Sequence, residues 1–269
     1  MVADAVKNVG GDRVESIALM GPGVDPHLYR ATAGDIGRIE GADVVFHVGL
    51  ELEGRMSEVL EKLKRQGKRV RAVGEAVPKD QLLPLPGHAG KHDPHLWFDV
   101  EIWSQTAEAV ADELASADPA GKALYTERAA AYRQRLQDLH AQVREETAQV
   151  PAESRVLVTA HDAFGYFGRK YGFEVLGIQG TSTATEAAAG RIIELADVIV
   201  KRKVRSVFVE SSVSPATIDA LRKAVRARGW QVGLGGQLFS DAMGAEGTPE
   251  GTYEGMVRHN VRTIAEALR

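Results

Sequence analysis

The stretch Asp118–Val150, DPAGKALYTERAAAYRQRLQDLHAQVREETAQV, decides how the rest of the chain is read. After Gly121 it holds neither glycine nor proline until Pro151, and it is rich in Ala, Glu, Arg, Gln and Leu, all good helix formers. Asp118 stands where an N-cap would, Pro119 where a first helical residue would, and Pro151 where the helix must stop. Tyr125, Ala129, Tyr132, Leu136, Leu139 and Val143 recur at alternating steps of four and three, which places them along one face. The pattern predicts one helix of about 30 residues, roughly 45 Å long. Helices of that length usually span something. Here the flanking sequence on each side alternates between strand-like and helix-like segments, so the helix reads as a spine between two βα lobes.

On the N-terminal side, Met1–Gly10 reads as an amphipathic helix through Val2, Ala5, Val6 and Val9, without the basic start and longer apolar core of a secretory signal. A strand is expected over residues 13–20, a helix over 33–41, a buried strand over 43–48, a helix over 53–66 closed by Gly67, and a strand over 69–73. Residues 78–91 carry three prolines and two glycines and read as a loop, and a helix follows over 101–115. Beyond Pro151 strands are expected over 155–160, 173–178, 204–209 and 230–234. Helices are expected over 164–171, 186–202, 214–228 (Ser214 capping, Pro215 first) and 253–269, and a glycine-rich loop over 235–252. The expected class is α/β, with two lobes of parallel sheet joined by one long backbone helix: residues 1–117, 118–150 and 151–269.

The totals narrow the function. A hydrophobic content of 44% with 26% charged residues is that of a folded globular chain. A net charge of −4 argues against a nucleic-acid partner. The absence of cysteine excludes disulfides, thiolate metal sites and a thiol nucleophile. No segment approaches the ~20 apolar residues of a membrane span.

Two tripeptides are identical, Asp25-Pro26-His27 and Asp93-Pro94-His95. Each alone reads as a turn, but the proline pre-sets the direction of the histidine that follows, and both copies end in one. Across the spine, His161 follows the strand RVLVTA and Asp241 lies in the loop GGQLFSDAMG. Singly, these read as a helix-cap histidine and a solvated acid. Together the four residues fall two on each side of the spine, each after an expected strand, so that all four are able to face one inter-domain cleft. Three imidazoles and one carboxylate suit Zn²⁺ and also hold Mn²⁺ or Fe²⁺. Asp25, Asp93 and Asp162 are near enough in sequence to receive the other ring N–H of these histidines.

The segments GPGVDPHLY, HDPHLWFDV, VTAHDAFGYFGRKYG, GIQGTSTATEA, VFVESSVSP, LFSDAMG and YEGMVRHNVRTIAEAL resemble the TroA-like, ZnuA-like zinc and manganese solute-binding proteins of bacterial ABC importers, some of them known as adhesins. The likeness runs in order over nearly the whole chain. It implies two lobes joined by a backbone helix and places the metal positions on His27, His95, His161 and Asp241. It also implies a periplasmic or extracellular, membrane-associated protein that passes Zn²⁺ or Mn²⁺ to an ABC permease, and a monomer. Members of that family begin with an export signal, often ending in a lipid-modified cysteine, and a first strand. Against that pattern this chain is expected to be truncated or mis-started, or exported by a route its sequence does not explain, with one strand missing from its first lobe. Zinc-dedicated members often carry a long histidine-rich loop where this chain has only His88 and His92, and manganese-dedicated members usually have glutamate at the position of His161.

His47, His140 and His259 read as packing or surface residues, and His88 and His92 as solvated. Trp97 and Phe98 are expected beneath the His95 loop. Glu210 reads either as a support behind the ligands or at a hinge, or as part of a helix start with Ser211, Ser212 and Ser214. A single straight spine favours small lobe motions, since bending it breaks backbone bonds. Two other readings stand beside transport: a metalloenzyme, although a catalytic zinc keeps a position open for water, and an adhesion or scaffold protein with a structural metal.

Overall fold

The narrow apolar stripe of the central helix is buried along its whole length, with Tyr125, Ala129, Tyr132, Leu136, Leu139 and Val143 each 3% exposed or less. These positions belong to a computed structural model that describes residues 1–186 and 188–269. In chain order the helices are α1 (Val2–Gly10), α2 (Ala33–Gly41), α3 (Ser57–Arg65), α4 (Val100–Ala117), α5 (Lys122–Ala148), α6 (Gly165–Tyr171), α7 (Ala189–Arg202), α8 (Ala216–Ala227) and α9 (Tyr253–Leu268). The strands are β1 (Val44–His47), β2 (Arg69–Ala72), β3 (Val156–His161), β4 (Glu174–Gln179), β5 (Ser206–Glu210) and β6 (Gly233–Leu238). Every strand pair is parallel, so the class is α/β with one long helix. The chain divides into two units, Met1–Gly21 with Pro26–His140, and Pro22–Asp25 with Ala141–Arg269, and the second boundary falls inside α5.

In the first unit, β1 and β2 pair in the register Val44↔Arg69 to His47↔Ala72. α1 packs on α4, and α4 buries Trp103, Ala107, Val110 and Leu114 at helical spacing. Arg13–Met20 is not a strand among the described residues. Val14 is extended (φ −129, ψ 125), but the segment is held by Ser16 Oγ donating to the Ala3 carbonyl and by Leu19 and Met20 packing on Ile39, Met56, Leu60 and Leu63. Side chains fix it without a ladder, which composition cannot reveal. Asp118 does not cap α5 with its side chain. Its carboxylate accepts from the Tyr125 hydroxyl and the Arg13 guanidinium at 2.7 Å each, and a 3-10 turn over Pro119–Gly121 starts the helix.

α2 begins with a reciprocal cap: the Asp35 amide donates to Thr32 Oγ1, and Asp35 Oδ2 accepts from the Thr32 amide. Asp35 Oδ2 also accepts from the Thr32 hydroxyl at 2.6 Å and the Tyr29 hydroxyl at 2.7 Å. The Thr32 and Tyr29 hydroxyls hold the Asp35 carboxyl down at about 2, against an ordinary 3.8. A depressed carboxylate stabilises the fold above its unfolded pKa, and that contribution is lost as pH falls through about 2. Thr32→Ala, which removes the cap and the hydroxyl that Asp35 accepts from, is expected to destabilise the fold near neutrality. In denaturant unfolding its deficit should narrow between pH 3.8 and about 2. A deficit that stays constant over that range contradicts the coupling.

In the second unit β3 pairs with β4 and β5 with β6, and β3 lies alongside β5. Val158, Ala160, Ile178, Leu195, Ile199, Val207, Ile218, Leu221 and Val225 form its core. The last strand lies later than Trp230–Leu234. It runs to Leu238, and its glycines belong to it. A Cβ on Gly235 would lie 2.5 Å from the Phe208 ring and 2.9 Å from Ala267 Cβ, and one on Gly236 2.7 Å from Thr263 Cγ2. Missing side chains let α9 lie close on β6, so glycines that suggested a loop mark a tight helix–strand contact. Ser214 Oγ receives the Ala216 amide at 3.4 Å, with Pro215 one residue ahead of α8. α7 begins at Ala189; of the helix expected from Glu186, residue 187 lies outside the described residues.

Candidate metal centre

In the first unit the two DPH histidines meet. His27 Nε2 and His95 Nε2 are 3.3 Å apart, with the rings inclined at 53°. Both residues are buried, His95 completely. The sequence around His95 shows why it sits so firmly. Asp93 Oδ1 accepts both the His95 amide, at 2.9 Å, and His95 Nδ1, at 2.7 Å. With Nδ1 donating to a carboxylate, Nε2 turns its lone pair toward His27. Trp97 stands edge-on against the His95 ring at 5.2 Å. Leu96, Trp97 and Phe98 form a buried 3-10 turn, and Asp99 then caps α4 by accepting from the Glu101 and Ile102 amides.

Beneath this turn the backbone leaves little room. Gly74 donates its amide to the Val48 carbonyl, and a Cβ there would lie 2.8 Å from Leu96 Cδ2. After Val48, Gly49, Leu50 and Glu51 all take positive φ (81, 54 and 66). The buried Glu53 carboxylate holds this left-handed run by accepting the Val48 and Gly49 amides at 2.8 and 3.1 Å. It also lies 3.5 Å from His47 Nδ1.

In the second unit His161 is the last residue of β3, not the opening of a helix, since α6 begins at Gly165. β5, alongside, ends at Glu210, whose carboxylate grips His161 twice: Oε1 accepts the backbone amide at 2.8 Å and Oε2 meets Nδ1 at 2.5 Å. The opposite ring nitrogen, Nε2, faces Asp241 Oδ2 at 3.3 Å, and all three side chains are fully buried. Burial opposes a charge on His161, yet the Glu210 and Asp241 carboxylates outweigh it and raise its pKa well above the ordinary 6.5. Two buried carboxylates around one imidazole form a place for positive charge, supplied by a proton or by a metal ion.

Both spacings are also those that a shared ion would accommodate. A charge-assisted N–H···O bond is about 2.7–2.9 Å, and His161 Nε2 is farther than that from Asp241. Two donors bound to one tetrahedral ion at about 2.0–2.1 Å stand about 3.3 Å apart. Both pairs have that separation.

Glu210 is the residue the sequence undervalued. Its role depends on a partner 49 positions away, and only the adjacency of two strand ends reveals it. Of the aspartates considered as histidine partners, Asp93 meets an imidazole and Asp25 accepts a hydrogen bond from Thr183 Oγ1 at 2.5 Å. His140 Nε2 lies 3.8 Å from Glu101, His259 bonds the Gln237 carbonyl, and His88 Nδ1 lies 3.1 Å from the Pro86 carbonyl.

A parallel α/β chain with a long central helix and buried His–His and His–Asp pairs has the form of a metal receptor. Residues 1–267 match the profile of ZnuA, the periplasmic component A of the zinc-uptake complex, and the chain belongs to that family. It is 53% identical over 268 residues to the zinc-binding protein TroA of Treponema pallidum, covering 100% of this chain and 86% of that protein. It is 47% identical over 268 residues to the manganese-binding lipoprotein MntA of Bacillus subtilis, covering 100% and 87%. The solved structure of periplasmic zinc-binding TroA from Treponema pallidum superposes with a TM-score of 0.96 at 53% identity, over 100% of this chain and 96% of that one. Among the described residues no helix is long and apolar enough to cross a membrane.

Proposed function

We propose that His27, His95, His161 and Asp241 together bind one divalent transition-metal ion, Zn²⁺ or Mn²⁺, as the cargo of a metal ABC importer. The chain acts outside the cytoplasm as the solute-binding protein that passes the ion to a membrane permease. Residues 1–117 and 151–269 serve as its lobes and 118–150 as the joining helix. The observation that carries this reading is the 3.3 Å separation within each donor pair, the spacing of neighbouring ligands on one ion. Nearly equal likeness to a zinc-binding and a manganese-binding relative supports the same class of cargo. Three imidazoles and one carboxylate favour four-coordinate Zn²⁺ over Mn²⁺, which takes more oxygen donors. A fourth protein donor also fills the position that a catalytic zinc keeps for water, which favours a carrier over an enzyme.

Calorimetric titration tests the stoichiometry. One tight Zn²⁺ per chain is expected, and metal at 100-fold above Kd should stabilise the fold by about 2.7 kcal/mol. His140→Glu, on α5, should leave both values unchanged. Two equal tight sites, or no stabilisation by Zn²⁺ or Mn²⁺, would rule the proposal out.

A further inference from the structure

The first DPH tripeptide is divided between the units: Pro22–Asp25 belongs to the second and His27 to the first. A side-chain hydrogen bond within the second unit helps to hold Pro22–Asp25 where it is. Gly23 (φ 72) lies beside the Ser211 carbonyl, with room for a Cβ in ordinary contact at 3.4 Å from its oxygen. Thr183 Oγ1 donates to Asp25 Oδ2 at 2.5 Å. Thr183 lies in the connection from β4 to α7, where its neighbours Ser182, Ala184, Thr185 and Glu186 are exposed while it is buried. A polar side chain turned inward from an exposed loop signals a specific bond.

Pro26 fixes its own φ near −65° and confines Asp25 to extended backbone. The path from the Asp25 carboxylate to the His27 imidazole is therefore short and stiff. We propose that Thr183 is a positioning residue for metal binding: its hydroxyl anchors Asp25 and so sets where His27 is delivered to the ion. The role rests on the reading of His27 as a ligand. It assigns to the β4–α7 connection of the second unit control over a ligand carried by the first. Losing the anchor frees His27 to leave the ion, so the effect falls on metal dissociation.

The test uses the full chain and Zn²⁺, with affinity measured by competition against a chelating dye and dissociation followed after mixing with excess chelator. Thr183→Val should weaken binding about tenfold to a hundredfold, the scale of a hydrogen bond to a charged acceptor. Most of the loss should appear as faster dissociation. Because the bond is present without metal, the Tm of the metal-free protein should fall as well, which makes the double-variant comparison the deciding one. Thr183→Ser, which keeps the hydroxyl, should restore the wild-type values. Asp25→Ala should be no further weakened by adding Thr183→Val, since both remove one interaction. Additive losses overturn the proposal. Wild-type affinity and dissociation in Thr183→Val, beside a large loss in His27→Ala, overturn the positioning role alone. Unchanged binding in His27→Ala defeats the ligand reading and the positioning role with it.

Discussion

Glu210→Ala is expected to weaken Zn²⁺ binding by about ten- to a hundredfold, the usual penalty for losing the group that orients a ligating histidine. Glu210 touches His161 at both the backbone amide and Nδ1, with both side chains fully buried. Without it, Nδ1–H has no carboxylate to aim at, the ring loses the constraint that points Nε2 at Asp241, and the amide at the end of β3 loses its acceptor. Breaking a buried ion pair by removing one member typically costs about 3–5 kcal/mol, so the metal-free variant should also unfold at a lower temperature. Glu210→Gln keeps an acceptor without the charge and should fall between the two. Wild-type affinity in Glu210→Ala would mean that His161 does not need Glu210 in order to bind metal.

The second large effect is a dependence on pH. Burial disfavours the His161 imidazolium, but Glu210 and Asp241 outweigh it, so the metal-free protein binds this proton more tightly than a free imidazole does. A raised folded pKa stabilises the metal-free fold fully below the unfolded value of 6.5, and that contribution is lost as pH rises through the folded pKa. The ion needs the same nitrogen deprotonated. Metal affinity should therefore fall already on the way down to 6.5, and below a given imidazole's pKa each proton displaced costs tenfold per pH unit. The stabilisation gained from Zn²⁺, read as the Tm difference between loaded and metal-free protein, should grow steadily from acid to mildly alkaline pH. A flat difference between pH 5 and 8, values that bracket the ordinary imidazole range, would contradict histidine ligation.

The sequence shows most plainly what local chemistry determines. The stripe from Tyr125 to Val143 marks α5 because a helix with one buried face must repeat its apolar residues on that face, and Pro151 has to end it. α2 falls where expected because Thr32 and Asp35 carry their own start signal. His27 and His95 stand out because a short motif is repeated. What could not be read depends on contacts distant in sequence. The glycines of β6 look like a loop until Phe208, Thr263 and Ala267 are seen to occupy the space their side chains would need. Arg13–Met20 has the composition of a strand without a strand to pair with among the described residues. Asp118 has the position of a cap but binds Arg13 and the Tyr125 hydroxyl. Glu210 gains its meaning only when β3 and β5 lie side by side, and Asp25 when Thr183 reaches it.

X-ray absorption fine structure of the zinc-loaded chain tests the central claim most directly, because it counts imidazoles around the ion whatever the conformation of the protein. Three imidazole nitrogens and a carboxylate oxygen are expected at about 2.0–2.2 Å, with no fourth imidazole. The multiple-scattering signal should drop by one ring each in His27→Ala, His95→Ala and His161→Ala, and by none in His140→Ala. A spectrum that accommodates two imidazoles or fewer in the wild-type chain contradicts that claim.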